Sequence, residues 1–174
     1  AELDVRFARL YLAAVDADAR GGRPSACWRP LFECRRRPGI HALQFALAGI
    51  NAHIGHDLAL AVVDTCGALG IGPEGVETDY WRVGKVLGEL ETRVREELMP
   101  GPDPLDAAEP LTHLAGSWSL HRAREAAWAA ARVLWALRPY PELQRECARS
   151  LDGSVGLVGR YLLTPLGAVE PGRA

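Results

Sequence analysis

The chain has 174 residues, of which 48% are hydrophobic and 24% are charged. This size and composition are typical of one soluble globular domain with a single core. The formal net charge is −2, and the basic residues are scattered, so no basic face can follow a nucleic-acid backbone. Apolar stretches are interrupted before the roughly 20 residues that a membrane span needs. We therefore expect one domain, 1–174, with neither a nucleic-acid partner nor a membrane span.

The N-terminal half of the chain predicts three helices. The first covers 3–19, and its apolar residues recur at helical spacing. Only a short helix fits between Pro30 and Pro38, because proline interrupts a helix. From 40 to 69 the apolar residues are almost continuous, which predicts a central helix packed on most of its sides.

The C-terminal half continues the helical pattern. Thr78 and Asp79 can cap a helix that begins near Tyr80. The segment 99–110 contains four prolines and three acidic residues, which predicts a loop, either a lid or a disordered surface segment. Further helices are predicted over 111–137, over 141–150 and up to Pro165. With no strand-like alternation anywhere, the expected fold is an all-α bundle of about five to seven helices around the central one.

The four cysteines are far apart and form no C-x-x-C pair. Such spacing fits free thiols in a reducing compartment better than a zinc knuckle or a disulfide framework. We therefore expect a cytoplasmic protein.

The string NAHIGHDL, which begins at Asn51, places polar side chains in the apolar central helix. At about 100° per residue, His53 and Asp57 share one stripe with Asp64. His56 lies to one side of that stripe and is predicted to be a bystander. Asn51 points nearly the opposite way, so it either contacts a ligand from another face or forms a hydrogen bond that packs helices together.

A histidine followed four residues later by an aspartate is chemically useful. Asp57 could fix the tautomer of His53 and raise its basicity, which would make His53 a general base near neutral pH. The alternative is structural, with His53 as a core histidine and Asp57 as its polar partner. Burying both groups costs several kcal/mol unless they are paired. The apolar context therefore favours a paired, catalytic arrangement as much as a structural one.

A second polar stripe is predicted on the helix over 111–137. His121, Arg124, Glu125 and Trp128 share one side of it, and the opposite side is rich in Leu and Ala. Large aromatic rings alternating with ionisable groups suit the wall of a half-apolar pocket that binds a substrate. A surface helix with Arg side chains lying over Trp rings is the alternative.

No metal is expected by default, and no nucleotide-binding motif occurs. The alternative is a site for zinc or another divalent cation that uses His53, Asp57 and His121, with His41 or His113 as a fourth ligand. Only the pair separated by four residues has ligand-like spacing.

Three stretches together carry a resemblance: LDVRFARLYLAA at 3–14, INAHIGHDLALAV at 50–62 and AREAAWAAARVLW at 123–135. They resemble a family of bacterial, largely actinobacterial, helical proteins of unknown function. Its most recognisable string is Asn-Ala-His-Ile followed by Asp-Leu.

The resemblance implies that Asn51, His53 and Asp57 match the polar string of the family. It likewise matches Arg124, Glu125 and Trp128 to an Arg-Glu-Ala-Ala-Trp helix. Relatives tend to carry Asn after a Tyr-x-x-Val string, where this chain has Gly84. Members occur among biosynthetic gene clusters, which implies, by association alone, a tailoring reaction on a small secondary metabolite.

The resulting hypothesis is an enzyme that uses a His53/Asp57 acid–base pair in a pocket of the bundle, for cyclisation, isomerisation or elimination. The catalytic candidates are His53 and Asp57. The candidate residues for binding a partly apolar small molecule are Asn51, His121, Arg124, Glu125 and Trp128. The alternatives are a metal-dependent hydrolase with His53 and Asp57 as ligands, and a helical binding module without catalysis. A homodimer is compatible with each of these three hypotheses.

Overall fold

The computed structural model describes residues 2–85 and 119–165. Within these ranges the chain forms helices and turns and no strand, which confirms the expected all-α bundle. The helices, in chain order, are α1 (Glu2–Ala19), α2 (Arg29–Cys34), α3 (Ala42–Leu69), α4 (77–85), α5 (Leu120–Ala136) and α6 (Pro141–Leu162). A short 3₁₀ turn, Pro73–Gly75, lies between α3 and α4.

The central helix α3 has well-defined ends. The side chain of His41 accepts a hydrogen bond from the amide of Leu43, and Gln44 completes a capping box at the same terminus. The helix stops at Gly70, whose φ of 66° is the left-handed conformation that glycine adopts without strain. The first part of α3 packs on α6, and the last part packs on α1 and α5. The expected central position of this helix is therefore confirmed.

A π-helical turn, His53–Asp57, interrupts α3 between its α-helical segments Ala42–Ala52 and Leu58–Leu69. The amide of Leu58 donates to the carbonyl of His53, five residues earlier. Such single π turns occur frequently at functional sites. This one contacts α1, α5 and α6, so its side chains meet three neighbouring helices.

Among the described residues, α3 alone is long and apolar enough to cross a membrane by length and composition. In the structure, 56% of its most apolar stretch is buried inside the protein. This is weak evidence for a membrane span, because the core helix of a bundle meets the same criteria.

Two details differ from the expectations. The two helices predicted over 141–150 and up to Pro165 are one helix, α6, because Gly153 is accommodated within it without a break. Thr78 and Asp79 lie inside the first turn of α4 and do not precede it. The predicted lid loop, 99–110, lies outside the described residues.

Candidate active site around Asp57

A buried carboxylate, that of Asp57, is the centre of the polar string in α3. One of its oxygens, Oδ2, accepts hydrogen bonds from the indole Nε1 of Trp28 at 2.8 Å and from Nδ1 of His53 at 3.0 Å. The other, Oδ1, accepts from Nδ1 of His56 at 2.9 Å. Asp57 is only 2% exposed. We call these four residues the Asp57 cluster.

The imidazole of His53 lies among aromatic rings of α1 and α2. It stacks on Phe7 with ring centroids 3.6 Å apart and an angle of 6° between the planes. Tyr11 and Trp28 each lie with their ring centroids 5.9 Å from that of His53. The side chain of His53 remains 27% exposed. The Asp57 cluster therefore reaches solvent through His53, on an aromatic surface.

The tautomers of both histidines follow from these contacts. An ionised carboxylate only accepts hydrogen bonds, so Nδ1 of His53 and Nδ1 of His56 each carry a proton. In a neutral imidazole, Nε2 is then the acceptor. None of the described residues forms a hydrogen bond with Nε2 of His53.

The hydrogen bonds also decide the ionisation of Asp57. Burial alone would raise its pKa, but the hydrogen bonds from His53, His56 and Trp28 outweigh burial, so the pKa is lowered. Asp57 is consequently a carboxylate at neutral pH. It orients the two imidazoles and stabilises a positive charge on either of them.

The prediction that His56 is a bystander is wrong. His56 is buried, bonds to Asp57, and presents Nε2 towards Asp152 of α6 at 3.8 Å. The central helix is covered on several sides, so a position away from the His53 stripe meets another helix instead of solvent. The 100° step used for the prediction also does not hold in a π turn.

Two other residues of the string, Asn51 and Gly55, contact α6 in different ways. Asn51 donates through its side-chain amide to the carbonyl of Val155 at 2.9 Å, which is a hydrogen bond that packs α3 against α6. Gly55 lets α6 approach, since a Cβ there would lie 3.3 Å from a methyl of Val155. Asp64, which was expected to share the His53 stripe, is exposed and takes no part.

The second predicted stripe, on α5, is divided between the interior and the surface. Arg124 and Trp128 are buried, whereas His121 and Glu125 are exposed and form an ion pair of 3.4 Å. The buried arc of α5 includes Leu120, Ala127 and Leu134, as expected, but extends across the adjacent polar positions. The four residues are therefore divided between two environments, and their role in binding a substrate stays a prediction.

Arg124 is fixed against α4 by reciprocal bonds. Its Nη2 donates to the backbone carbonyl of Tyr80, and the hydroxyl of Tyr80 donates to the backbone carbonyl of Arg124 at 2.7 Å. The guanidinium carbon also lies 4.3 Å from the centre of the Tyr80 ring. Among the residues that the structure describes, none forms a hydrogen bond with Nε of Arg124. We call this pair the Tyr80–Arg124 clamp.

Gly84 of α4 faces the unpaired Nε, because a Cβ at this position would lie 2.7 Å from it. Glycine at this position therefore leaves room for the guanidinium of Arg124.

Within the described residues, 2–85 and 119–165, no hydrogen bond, ion pair or ring contact joins the Asp57 cluster to the predicted stripe of α5, that is, to His121, Arg124, Glu125 or Trp128. The alternative metal set of His53, Asp57 and His121 is likewise not brought together. The ligand-type atoms that do converge are those of Cys27, His56 and Asp152. His41 acts as a helix cap, and His113 lies outside the described residues. All four cysteines are free thiols, as expected.

Three members of this region were not identified from the sequence: Cys27, Trp28 as a partner of Asp57, and Asp152. One signal was present in α6, where Gly156 and Gly159 follow Asp152 at spacings of four and seven. A Cβ on Gly156 would lie 2.8 Å from the carbonyl carbon of Ala26. Small residues on one helix face indicate a close approach, and the approach here brings Asp152 to the 26–27 backbone.

The fold and the site together define an all-α domain in which a buried carboxylate of the central helix is held by two histidines and a tryptophan. The family model described as "Family of unknown function (DUF5995)" matches residues 1–165, and the chain belongs to this family. No curated protein and no solved structure matches the chain.

Proposed function

We propose that this protein is an enzyme that acts on a small molecule by proton transfer, with His53 as the general acid–base group and Asp57 as its positioning residue. The reaction class is a cyclisation, isomerisation or elimination. Such reactions need a proton to be removed at one atom and returned at another, and a single neutral imidazole can do both. In the terms of the resemblance, the substrate is an intermediate of bacterial secondary metabolism.

The observation that carries the proposal is the hydrogen bond between Nδ1 of His53 and the buried Oδ2 of Asp57. It leaves Nε2 as the basic atom of a partly exposed ring. A carboxylate in this position holds the imidazole in one tautomer and stabilises the imidazolium that forms when Nε2 accepts a proton. The carboxylate stays ionised because Trp28 and His56 also donate to it.

The surroundings of His53 favour a partly apolar substrate. Phe7, Tyr11 and Trp28 present rings next to the imidazole, and ring faces bind flat or apolar groups. The proposal takes the exposed Tyr11 and the partly exposed Phe7 as substrate contacts, with the buried Trp28 behind them. It does not use His121, Arg124, Glu125 or Trp128, which the structure gives other contacts.

The tautomer of His53 is the first test, and it needs no substrate. Long-range ¹H–¹⁵N NMR spectra of the imidazole at neutral pH distinguish a proton on Nδ1 from one on Nε2. We expect the Nδ1–H form in the native protein and a mixture of forms in Asp57→Asn. A proton held on Nε2 in the native protein would contradict the proposed role.

The second test looks for the reaction itself. Native protein, His53→Gln and the control His121→Gln are incubated with a bacterial small-molecule extract, and the products are compared by mass spectrometry. His121 is exposed and outside the Asp57 cluster, so its variant should behave as the native protein does. We expect a substrate–product pair that disappears in a folded His53→Gln. If folded His53→Gln converts the same compounds at the native rate, His53 is not the acid–base group.

A further inference from the structure

Three side chains of metal-ligating type converge beneath the Asp57 cluster. They are Cys27, which precedes α2, His56 of the π turn, and Asp152 of α6. Their ligand atoms all lie within 4.8 Å of one another. Cys27 and His56 are buried, and the side chain of Asp152 is 24% exposed. Three separate parts of the fold therefore contribute one donor atom each, and the acid–base role of His53 uses only the Nδ1 side of His56 and leaves its Nε2 free for this site.

The geometry leaves two hydrogen-bond acceptors facing each other. Nδ1 of His56 donates to Asp57, so a neutral imidazole presents the lone pair of Nε2 to Oδ1 of Asp152. Their separation of 3.8 Å is too long for a hydrogen bond. Two ligands bound tetrahedrally to one zinc ion at about 2.0–2.1 Å lie about 3.4 Å apart. The observed distance between Nε2 of His56 and Oδ1 of Asp152 is thus close to that between two ligand atoms of one bound cation.

The surrounding hydrogen bonds hold these donors in place. Asp57 fixes the ring of His56 through Nδ1, which is the carboxylate–histidine arrangement that orients metal-bound histidines. The carboxylate of Asp152 accepts from the amides of Ala26 at 2.8 Å and Cys27 at 2.9 Å. Lone pairs remain on both of its oxygens after these bonds. The ligand side chains are therefore already oriented by a second layer of contacts.

The donor set selects the kind of ion. A thiolate, an imidazole and a carboxylate together suit zinc, whereas magnesium and calcium prefer oxygen donors alone. Burial raises the pKa of the Cys27 thiol, so binding of the ion replaces the thiol proton and releases it to solvent. The partly exposed edge at Asp152 leaves room for a fourth ligand from solvent.

We propose that Cys27, His56 and Asp152 form a zinc-binding site with one position open, in which Asp57 orients His56. This site is distinct from the set of His53, Asp57 and His121 that the sequence offered as a metal site. It shares only Asp57 with the proposed acid–base group.

The experiment uses the full chain, purified without a histidine tag and dialysed against a chelator. Zinc binding is measured by equilibrium dialysis with elemental analysis, and cobalt(II) is added as a spectroscopic probe for a thiolate ligand. We expect one zinc per chain and a thiolate-to-cobalt charge-transfer band. Native protein that binds no zinc, or binds cobalt without that band, overturns the proposal.

Variants separate this site from others. Cys27→Ser should lose the charge-transfer band, whereas Cys66→Ser, which changes another buried thiol, should keep it. Asp57→Asn should weaken zinc binding about 10- to 100-fold, as removal of a histidine-orienting carboxylate does. His53→Gln should bind zinc as the native protein does, so failure of the proposed acid–base role would leave this result unchanged. A folded Cys27→Ser with native zinc affinity would overturn the site.

Discussion

The Asp57 cluster and the Tyr80–Arg124 clamp both place a charged group inside an apolar bundle, and they differ in how the charge is satisfied. Asp57 accepts three hydrogen bonds from side chains, two of them titratable. Arg124 bonds a backbone carbonyl and leaves its Nε unpaired. The first arrangement can change its protonation and reaches solvent through His53. The Tyr80–Arg124 clamp joins α4 to α5 through bonds to backbone carbonyls.

This difference makes the Asp57 cluster the candidate site and the Tyr80–Arg124 clamp a contact that stabilises helix packing. In the sequence both regions were candidates for a site, one as the His53 and Asp57 stripe of the central helix and the other as the Arg124 stripe of the helix over 111–137. A buried charge becomes useful chemically when its partners are themselves able to move protons. The predictions that follow compare the two regions on that basis.

The largest effect is expected for Asp57→Ala. The change leaves Trp28, His53 and His56 without their common acceptor, and breaking a buried charged network by removing one partner costs about 3–5 kcal/mol. Urea unfolding followed by circular dichroism measures the loss. Asp57→Asn, which keeps one acceptor oxygen, should lose less. A loss below about 1 kcal/mol in Asp57→Ala would mean that these hydrogen bonds contribute little to the fold.

The next effect is expected for Gly156→Ala in α6. The new methyl group would meet the backbone of Ala26, which cannot move aside as a side chain would, and overpacking of this kind costs about 1–3 kcal/mol. The matched control is Gly153→Ala in the same helix, where a Cβ meets nothing within 4 Å. The control should gain about 0.5–1 kcal/mol from helix propensity. Equal melting temperatures for the two variants would contradict the close approach.

A smaller effect is expected in the clamp. Tyr80→Phe removes one buried hydrogen bond to the carbonyl of Arg124 and should cost about 1 kcal/mol. Arg124→Met should change the unfolding free energy by less than about 1 kcal/mol, because an apolar side chain of similar length avoids the cost of burying a charge with an unpaired Nε. If Arg124→Met is as damaging as Asp57→Ala, the contrast between the two regions fails.

The smallest effect is expected from pH. The pKa of Asp57 is lowered below its ordinary value of 3.8 in the folded protein. Its contribution to stability is therefore complete well above that value, and it is lost as pH falls from there through the folded pKa. The stability difference between native protein and Asp57→Asn should shrink as pH falls below about 4, where the carboxyl begins to be protonated. Denaturant unfolding at several pH values below about 4 measures it, and a difference that stays constant or grows in that range would reverse the assigned sign.

The sequence predicted the local part of the site well. His53 and Asp57 are four residues apart in one helix, and that spacing places their side chains together whatever surrounds the helix. The continuous apolar character of α3 is local in the same sense. The residue pattern along the chain is therefore enough to predict these features.

The distant partners could not be read in the same way. Trp28 reaches Asp57 across 29 positions, and Cys27 reaches Asp152 across 125. No periodicity relates such residues, and only the packing of the 26–30 segment against both α3 and α6 brings them together. The prediction that groups His121, Arg124, Glu125 and Trp128 as substrate contacts stays a prediction, although the structure buries two of these residues and exposes the other two. Helical spacing places these residues on one side of α5, but the elements packed against α5 determine which part of that side is buried.

The sequence by itself determined an all-α fold, a buried central helix and a histidine–aspartate pair within it, because these depend on composition and on spacings of a few residues. Only the tertiary structure decided that Asp57 is shared between His53 and His56, and that Arg124 bonds to Tyr80 of α4. The physical reason is that a buried charge is defined by all the groups that desolvate and bond it, and those groups come from separate helices.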